Sequence, residues 1–242
     1  MKPRQLFEFN EPVTGRNLQL RRLGPEHADY MQQSFADAQF WAAYRSNQNR
    51  HLTTVELRQR LDLESQNSPQ TLGKIEWVIQ RIASAPDGEN ANIGLAGLTA
   101  FDPRQNCAEF LLGIVRSQDR KPGVGLEASL LLFDYAFNRM HLGRLVSHVY
   151  ADNGEAQRNT LALGFRQEVL LRDHFRKLGE SELSDVYRNG MLLSEFRDNK
   201  RLATLSQRLL NRDITRKADS TRKEDQDSGR LGELQASFEI RR

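Results

Sequence analysis

The six residues Arg120-Lys121-Pro122-Gly123-Val124-Gly125 constrain this chain more than any other stretch. They follow Ala108-Glu109-Phe110-Leu111-Leu112-Gly113-Ile114-Val115, which reads as a strand. They precede a stretch to Met140 in which Leu126, Leu130, Leu131, Phe133, Phe137 and Met140 recur at helical spacing. A strand, a polar turn and two glycines opening a helix form a device suited to anions. The first N–H groups of a helix have no partner within it, and the helix dipole adds positive potential there. Glycine lets an oxyanion approach the backbone, and a basic residue adds charge. A pyrophosphate is therefore expected on residues 120–125. Taken alone, the hexapeptide fits a tight turn with positive-φ glycines equally well. The flanking elements decide between the two.

Upstream, Leu18 to Leu23 reads as a first strand, after an irregular lead-in over 1–16. Pro25 opens a helix to about Ala36. Residues 38–51 interleave Phe40, Trp41 and Tyr44 with Arg45, Arg50 and His51, which suits either a polar-ligand lining or a surface loop with its aromatics tucked inward. Thr53 or Thr54 caps a second helix carrying Val55, Leu57, Leu61 and Leu63, with Pro69 beyond its end. Three strands with short turns follow, at 75–81, 92–101 and 107–115, and make an antiparallel meander. After the phosphate helix, Arg144 to Tyr150 is a strand, and the strand–helix–strand order makes it a parallel neighbour of 107–115. Asn153 caps a helix from Gly154 to Leu163, ended by Gly164. Phe165 to Phe175 and Asp185 to Phe196 read as a closing antiparallel pair. From residue 198 the composition changes. A short amphipathic helix carries Leu202, Leu205, Leu209 and Leu210, and a charge-dense tail follows, unable to bury a core. The division is thus a domain over 1–197 and an appendage over 198–242.

The remaining composition narrows the function classes. The net charge of +3 is spread among interspersed acids, which is not the basic stripe of a nucleic-acid binder. No run approaches the ~20 apolar residues of a membrane span. A single cysteine, Cys107, allows no internal disulfide and no cysteine-rich metal site. The expectation is a cytoplasmic protein with no bound metal, no nucleic acid and no membrane partner, present as a monomer or homodimer.

This order of elements, with Arg120, Gly123 and Gly125 matching an Arg/Gln-x-x-Gly-x-Gly/Ala motif, resembles the GCN5-related N-acetyltransferases. Val115 lies where that family places a strand-end valine. Asn153-x-x-Ala156 followed by Leu163-Gly164-Phe165 is similar to the family's Asn-x-x-(Ser/Ala) helix ending in Gly-Phe. The resemblance covers about residues 16–197. Leu171 to Phe175, Ser184 to Leu192 and Glu195-Phe196 look like the ribosomal-protein, spermidine and amino-sugar acetyltransferases, and somewhat more like the enzymes that acetylate a 4-amino nucleotide-sugar. The resemblance implies an α/β fold of the α+β kind: a mixed, mostly antiparallel twisted sheet flanked by helices, with the charged C-terminal tail outside it.

It further implies acetyl-CoA as co-substrate. Lys121, Gly123, Val124 and Gly125 would hold its pyrophosphate together with Arg120. Ile114 and Val115 would pair with the pantetheine, a backbone N–H there polarising the thioester carbonyl, and Asn153 would contact the pantetheine arm. Glu109, six residues before Val115, is the candidate base, with an ordinary strand glutamate as the bland alternative. Trp41, Tyr44, Arg45 and His174 are the candidate acceptor-binding residues. One departure stands out: many relatives carry a thiolate-protonating tyrosine seven residues after the capping asparagine, and here that position is Thr160. Water, Tyr150 or Tyr187 are the other candidate acids. His148 reads as a strand residue. The implied partner is a small-molecule primary amine or a protein N-terminus. An amino-sugar nucleotide suits the basic and aromatic stretch 38–51, and a polyamine would want acids there. A non-catalytic acyl-CoA-binding module is the alternative that Thr160 keeps open.

Overall fold

Residues that alternate apolar and polar build the sheet. In β2 (Leu18–Arg22), Leu18 and Leu20 are buried while Arg21 points to solvent. The computed structural model describes residues 9–44, 52–83, 90–177 and 179–216. Within them β1 (Val13–Thr14), β2, β3 (Ile75–Arg81), β4 (Ala91–Asp102), β5 (Cys107–Ile114), β6 (Arg144–Tyr150), β7 (Arg166–Arg176) and β8 (Leu183–Leu192) form one sheet, in the order β1-β2-β3-β4-β5-β6-β8-β7. Neighbours run antiparallel except β5 and β6, which are parallel as the crossover requires.

That parallel contact is short. It joins Cys107 to Arg144, Ala108 to Leu145 and Glu109 to Val146, and goes no further. Beyond Glu109, β5 stays paired with β4 up to Gly94 and Ile114. Over its full length β6 pairs instead with β8. The sheet therefore splits into a V with Glu109 and Val146 at its apex. The edge of β5 that faces β6 has no strand partner from Phe110 to Ile114 among the described residues.

The helices α1 (Ala28–Ser34), α2 (Ala38–Tyr44) and α3 (Thr54–Ser65) cover one face of the sheet. Met31, Phe40, Trp41, Leu57 and Leu61 pack there on Val78 and Leu95. Thr53 caps α3 in a reciprocal box with Glu56. A single turn, α4 (Pro69–Leu72), follows, capped by Ser68. On the other face α5 (Val124–Phe133), continued by wide π-type turns over Asp134–Arg139, buries Leu130 to Phe133 against Trp77, Leu98 and Phe110. Each such side chain contributes roughly 1.5–3 kcal/mol. On the same face as α5, α6 (Gly154–Ala162) docks on β6 and β8 through a buried amide pair. Gln157 Nε2 donates to Asn189 Oδ1 (2.9 Å), and Asn189 Nδ2 donates back to Gln157 Oε1 (3.0 Å) and to Ser147 O (3.3 Å). Last come α7 (Leu193–Arg197) and α8 (Lys200–Leu210).

The structure departs from the sequence reading in four places. Residues 38–44 are helical, because Asp37 Oδ1 accepts the Phe40 N–H (2.8 Å) and starts a turn whose Phe40, Trp41 and Tyr44 share one side. Phe196 lies in α7 and not in a strand, since Glu195 Oε2 accepts the Leu192 N–H (3.0 Å) and closes a new turn at the end of β8. Val13–Thr14 adds an edge strand within the lead-in. Pro69 opens α4 rather than merely following α3. Leu202 and Leu210 of α8 are buried, and Ile214 beyond them joins the same cluster as α5. Asn138 Nδ2 fixes that return by donating to Ile214 O (2.8 Å). The charge-dense stretch from 217 onward lies outside the described residues.

Candidate active site

The turn before α5 is built from backbone. Ser117–Asp119 makes a short 3-10 turn, and Gly123 at the N-cap of α5 has φ +87°, a left-handed conformation that favours glycine. The Val124 N–H is used by Lys121 O (3.2 Å) and the Glu127 N–H by Gly123 O (2.8 Å). The N–H groups of Gly123, Gly125 and Leu126 have no partner among the described residues. A Cβ built at Gly123 or Gly125 meets nothing within 4 Å, so the space before these donors is open. Lys121 is exposed beside it. Arg120 folds back onto the strand, its Nε 3.3 Å from Ile114 O and its Nη2 3.3 Å from Val115 O. It thereby ties the turn to the end of β5 and keeps its charge at the helix mouth. Behind the mouth, buried Glu127 accepts from Asn17 N (2.7 Å), Asn17 Nδ2 (2.9 Å) and Leu18 N (3.1 Å), pinning the β1–β2 turn to the first turn of α5.

The open edge of β5 corrects one expectation. The Val115 N–H donates to Ile93 O (3.0 Å) within the sheet, so it is not available to a ligand. Antiparallel pairing alternates the direction of the amides, which turns those of Ile114 and Leu112 toward the gap. On the far side of the gap Asn153 caps α6, its Oδ1 accepting the Ala156 N–H (3.1 Å) and its Nδ2 remaining a donor.

At the apex, Glu109 Oε1 lies 2.9 Å from His148 Nδ1, and Thr99 Oγ1 donates to Glu109 Oε2 (3.3 Å). The two side chains are 23% and 20% exposed, enough to meet a ligand. Pairing puts Glu109 and Val146 on one face, and His148 two residues on shares it. This is the face under α1–α3. There α2 lies so close to β5 that a Cβ at Gly113 would come within 2.7 Å of Phe40 and 3.0 Å of Tyr44. Only glycine permits that approach, and it sets Tyr44 above the strand leading up from Glu109. From the opposite side, a register shift between Leu171 and Phe175, with Asp173 at φ +47°, displaces the end of β7. Two strand spacings of roughly 10 Å would separate β7 from β6 in a flat ladder. The His174 and His148 ring centroids are nonetheless 6.2 Å apart, and Phe175 lies 5.6 Å from His148.

Of the acceptor-side candidates, His174 therefore flanks the apex, Tyr44 lies further up the strand above Gly113, and Trp41 does not reach the apex. Trp41 is fully buried and its indole N–H donates to Ser34 O (2.8 Å), so it supports α2 and offers no surface. Arg45, Arg50 and His51 lie outside the described residues. Tyr150 shares the face of His148, with its hydroxyl 3.5 Å from Arg176 O and the Lys177 ammonium over its ring. Tyr187 pairs with Val149 and so looks to the opposite face, where α6 and Thr160 lie. Cys107 is partly exposed on the Glu109 face, with no base bonded to it among the described residues. No group of three metal-ligating side chains occurs among the described residues, and no helix there is long and apolar enough to cross a membrane. His148 is the site residue that sequence reasoning missed. Its signal exists only once the β5–β6 register is known.

A split sheet with free amides at a helix mouth and an unpaired strand edge along the gap has the chemistry to take an extended, phosphate-bearing ligand. The acetyltransferase (GNAT) domain profile matches residues 17–166, and the chain belongs to that family. An uncharacterized N-acetyltransferase, p20, of Bacillus licheniformis is 32% identical over 104 residues, which is 43% of this chain and 57% of that protein. The match thus spans little more than half of that relative's length. Among solved structures, spermidine N-acetyltransferase from Vibrio cholerae in complex with CoA and spermine superposes with a TM-score of 0.61 at 20% identity, over 74% of this chain and 97% of that one. A dodecameric structure of the Vibrio cholerae enzyme in an intermediate state gives 0.60 at 19% identity, over 76% and 98%. At this identity the likeness is one of fold.

Proposed function

We propose that the protein transfers an acetyl group from acetyl-CoA directly to a primary amine. The observation that carries this reading is the V itself: an unpaired strand edge runs from free helix-mouth amides at one end to Glu109 at the other. The amides of Gly123, Gly125 and Leu126, with Arg120 and Lys121, suit a pyrophosphate. The edge at Leu112 and Ile114 suits an extended pantetheine added like a strand, and an amide there polarises the thioester carbonyl as negative charge develops on its oxygen. Asn153 contributes a donor from the other wall. Glu109 supplies the negative charge that draws a proton from the incoming ammonium.

The acceptor enters over the face that carries Tyr44, His148, His174 and Phe175. These aromatic and imidazole rings suit an amino-sugar nucleotide or a protein N-terminus. A polyamine, with several cations, would want more carboxylate than Glu109 alone. Because spermidine enzymes share the fold, spermidine belongs in the test. Thiol release from acetyl-CoA is measured with amino-sugar nucleotides, spermidine and peptides with free N-termini, using wild type and Glu109→Gln. The reading predicts release with one acceptor class, lowered at least ~100-fold in the variant. CoA binding without release from any acceptor would favour a non-catalytic acyl-CoA-binding module, which the threonine at 160 would suit. Absence of CoA binding would overturn the assignment of the helix mouth.

A further inference from the structure

We propose that His148, held by Glu109, is the group that accepts the proton from the acceptor ammonium, and that Glu109 acts through it as a positioning residue. The inference rests on the acetyl-transfer reading and names the proton acceptor within it. An ionised carboxylate only accepts hydrogen bonds. The 2.9 Å contact between Glu109 Oε1 and His148 Nδ1 therefore places the hydrogen of the neutral ring on Nδ1. Nε2 is left with its lone pair, the form a base needs. Thr99 Oγ1 holds the other carboxylate oxygen, so the carboxylate is fixed at both ends before any acceptor arrives. The hydroxyl itself is fixed, since Thr99 is buried in β4 beside its pairing partner Glu109. This is the logic by which a carboxylate sets the tautomer of an imidazole and stabilises the imidazolium that forms. It gives Glu109, His148 and the buried Thr99 one joint purpose, which three separate surface roles do not.

The proton count closes. His148 Nε2 takes one proton from R–NH3+, giving R–NH2 and an imidazolium beside Glu109. The amine lone pair forms the N–C bond to the thioester carbonyl, the C–S bond breaks, and its electron pair leaves on the CoA sulfur. The nitrogen then sheds a second proton, which ends on the thiolate, and the imidazolium returns its own to water. The products are amide, thiol and one proton.

The groups facing His148 are Glu109 from β5, Arg188 as its pairing partner from β8, His174 and Phe175 from β7, and Tyr150 on its own strand. Of these groups only Glu109 is hydrogen-bonded to the ring.

The test combines kinetics with a readout independent of turnover. Wild type, His148→Gln, His148→Asn and Glu109→Gln are compared for kcat/KM across pH with one acceptor, with CoA affinity measured alongside. Both His148 variants should lose at least ~100-fold in kcat/KM and keep wild-type CoA affinity, and the wild-type inflection should vanish from their profiles. Glu109→Gln should also lose kcat/KM at unchanged CoA affinity, because His148 Nδ1 loses the carboxylate that sets its tautomer. Nitrogen-15 NMR of labelled histidine should find neutral His148 as the Nδ1–H tautomer in the wild type, with that preference lost in Glu109→Gln. His148→Gln within threefold of wild type and with an unchanged profile, or an Nε2–H tautomer, would overturn the proposal while leaving acetyl transfer standing. Wild type inert toward every amine would overturn both.

Discussion

Replacing Gly125 with valine separates a ligand-binding role of the helix mouth from a structural one. Gly125 is the second residue of α5, its φ is unexceptional, and a Cβ there meets nothing within 4 Å. The folded chain should therefore accept the side chain. Valine is a slightly better helix former than glycine, so stability should change by no more than about 0.5 kcal/mol. Helical side chains lean toward the N-terminus, which here aims the two methyls at the space before the Gly123, Gly125 and Leu126 amides. An oxyanion kept from one of these donors loses a charge-assisted hydrogen bond of roughly 1.5–3 kcal/mol. That corresponds to CoA binding weaker by about 10- to 150-fold. Titration calorimetry with CoA, run beside thermal unfolding, checks both halves. Affinity within threefold of wild type would refute the seating of phosphate on these amides. A collapse in Tm would refute the reading of the space as open. Gly123 would not serve, because its φ of +87° would add strain to any side chain.

Three further outcomes follow from the packing and burial. Glu127→Ala strips the acceptor from three donors and leaves the Leu18 N–H buried, so it should cost about 3 kcal/mol or more in urea unfolding; a cost below 1 kcal/mol would count against this anchor. Ile214→Ala should cost about 2–5 kcal/mol, since its side chain is 1% exposed within the main apolar cluster; a surface-like effect would separate the stretch after α8 from the core. Burial lowers the pKa of His27, and the Gly24 N–H donates to its Nδ1 (3.1 Å), which requires the neutral ring. Its folded pKa lies below the unfolded value of about 6.5. The stability it contributes is thus present above that pH and is lost as pH falls below it, at up to about 1.4 kcal/mol per unit. Wild-type stability should fall below pH 6.5 more steeply than that of His27→Gln, and equal slopes would contradict the assignment.

What was legible in the sequence was whatever local chemistry dictates. Gly123 and Gly125 between a strand and an apolar helix announced the helix mouth, Asn153 announced its cap, and the strand–helix–strand order required β5 and β6 to be parallel. Residues 38–44 misled because glutamine, asparagine and arginine nearby suggested a loop, although Asp37 followed by Phe40 is a helix-start signal. Apolar residues running on past Leu192 read as strand through Phe196, and only the Glu195 cap marks the turn. The availability of Ile114 rather than Val115 as donor depends on the direction of the β4 ladder. The pairing of His148 with Glu109 depends on register across 39 residues, which no local pattern carries.

The most direct measurement is a crystal structure of the protein with CoA bound. The account predicts the pyrophosphate on the amides of Gly123, Gly125 and Leu126, the pantetheine hydrogen-bonded along Leu112 and Ile114, and the sulfur directed to the side of Glu109 and His148. CoA bound outside the V, or with its pyrophosphate away from the first turn of α5, would contradict it.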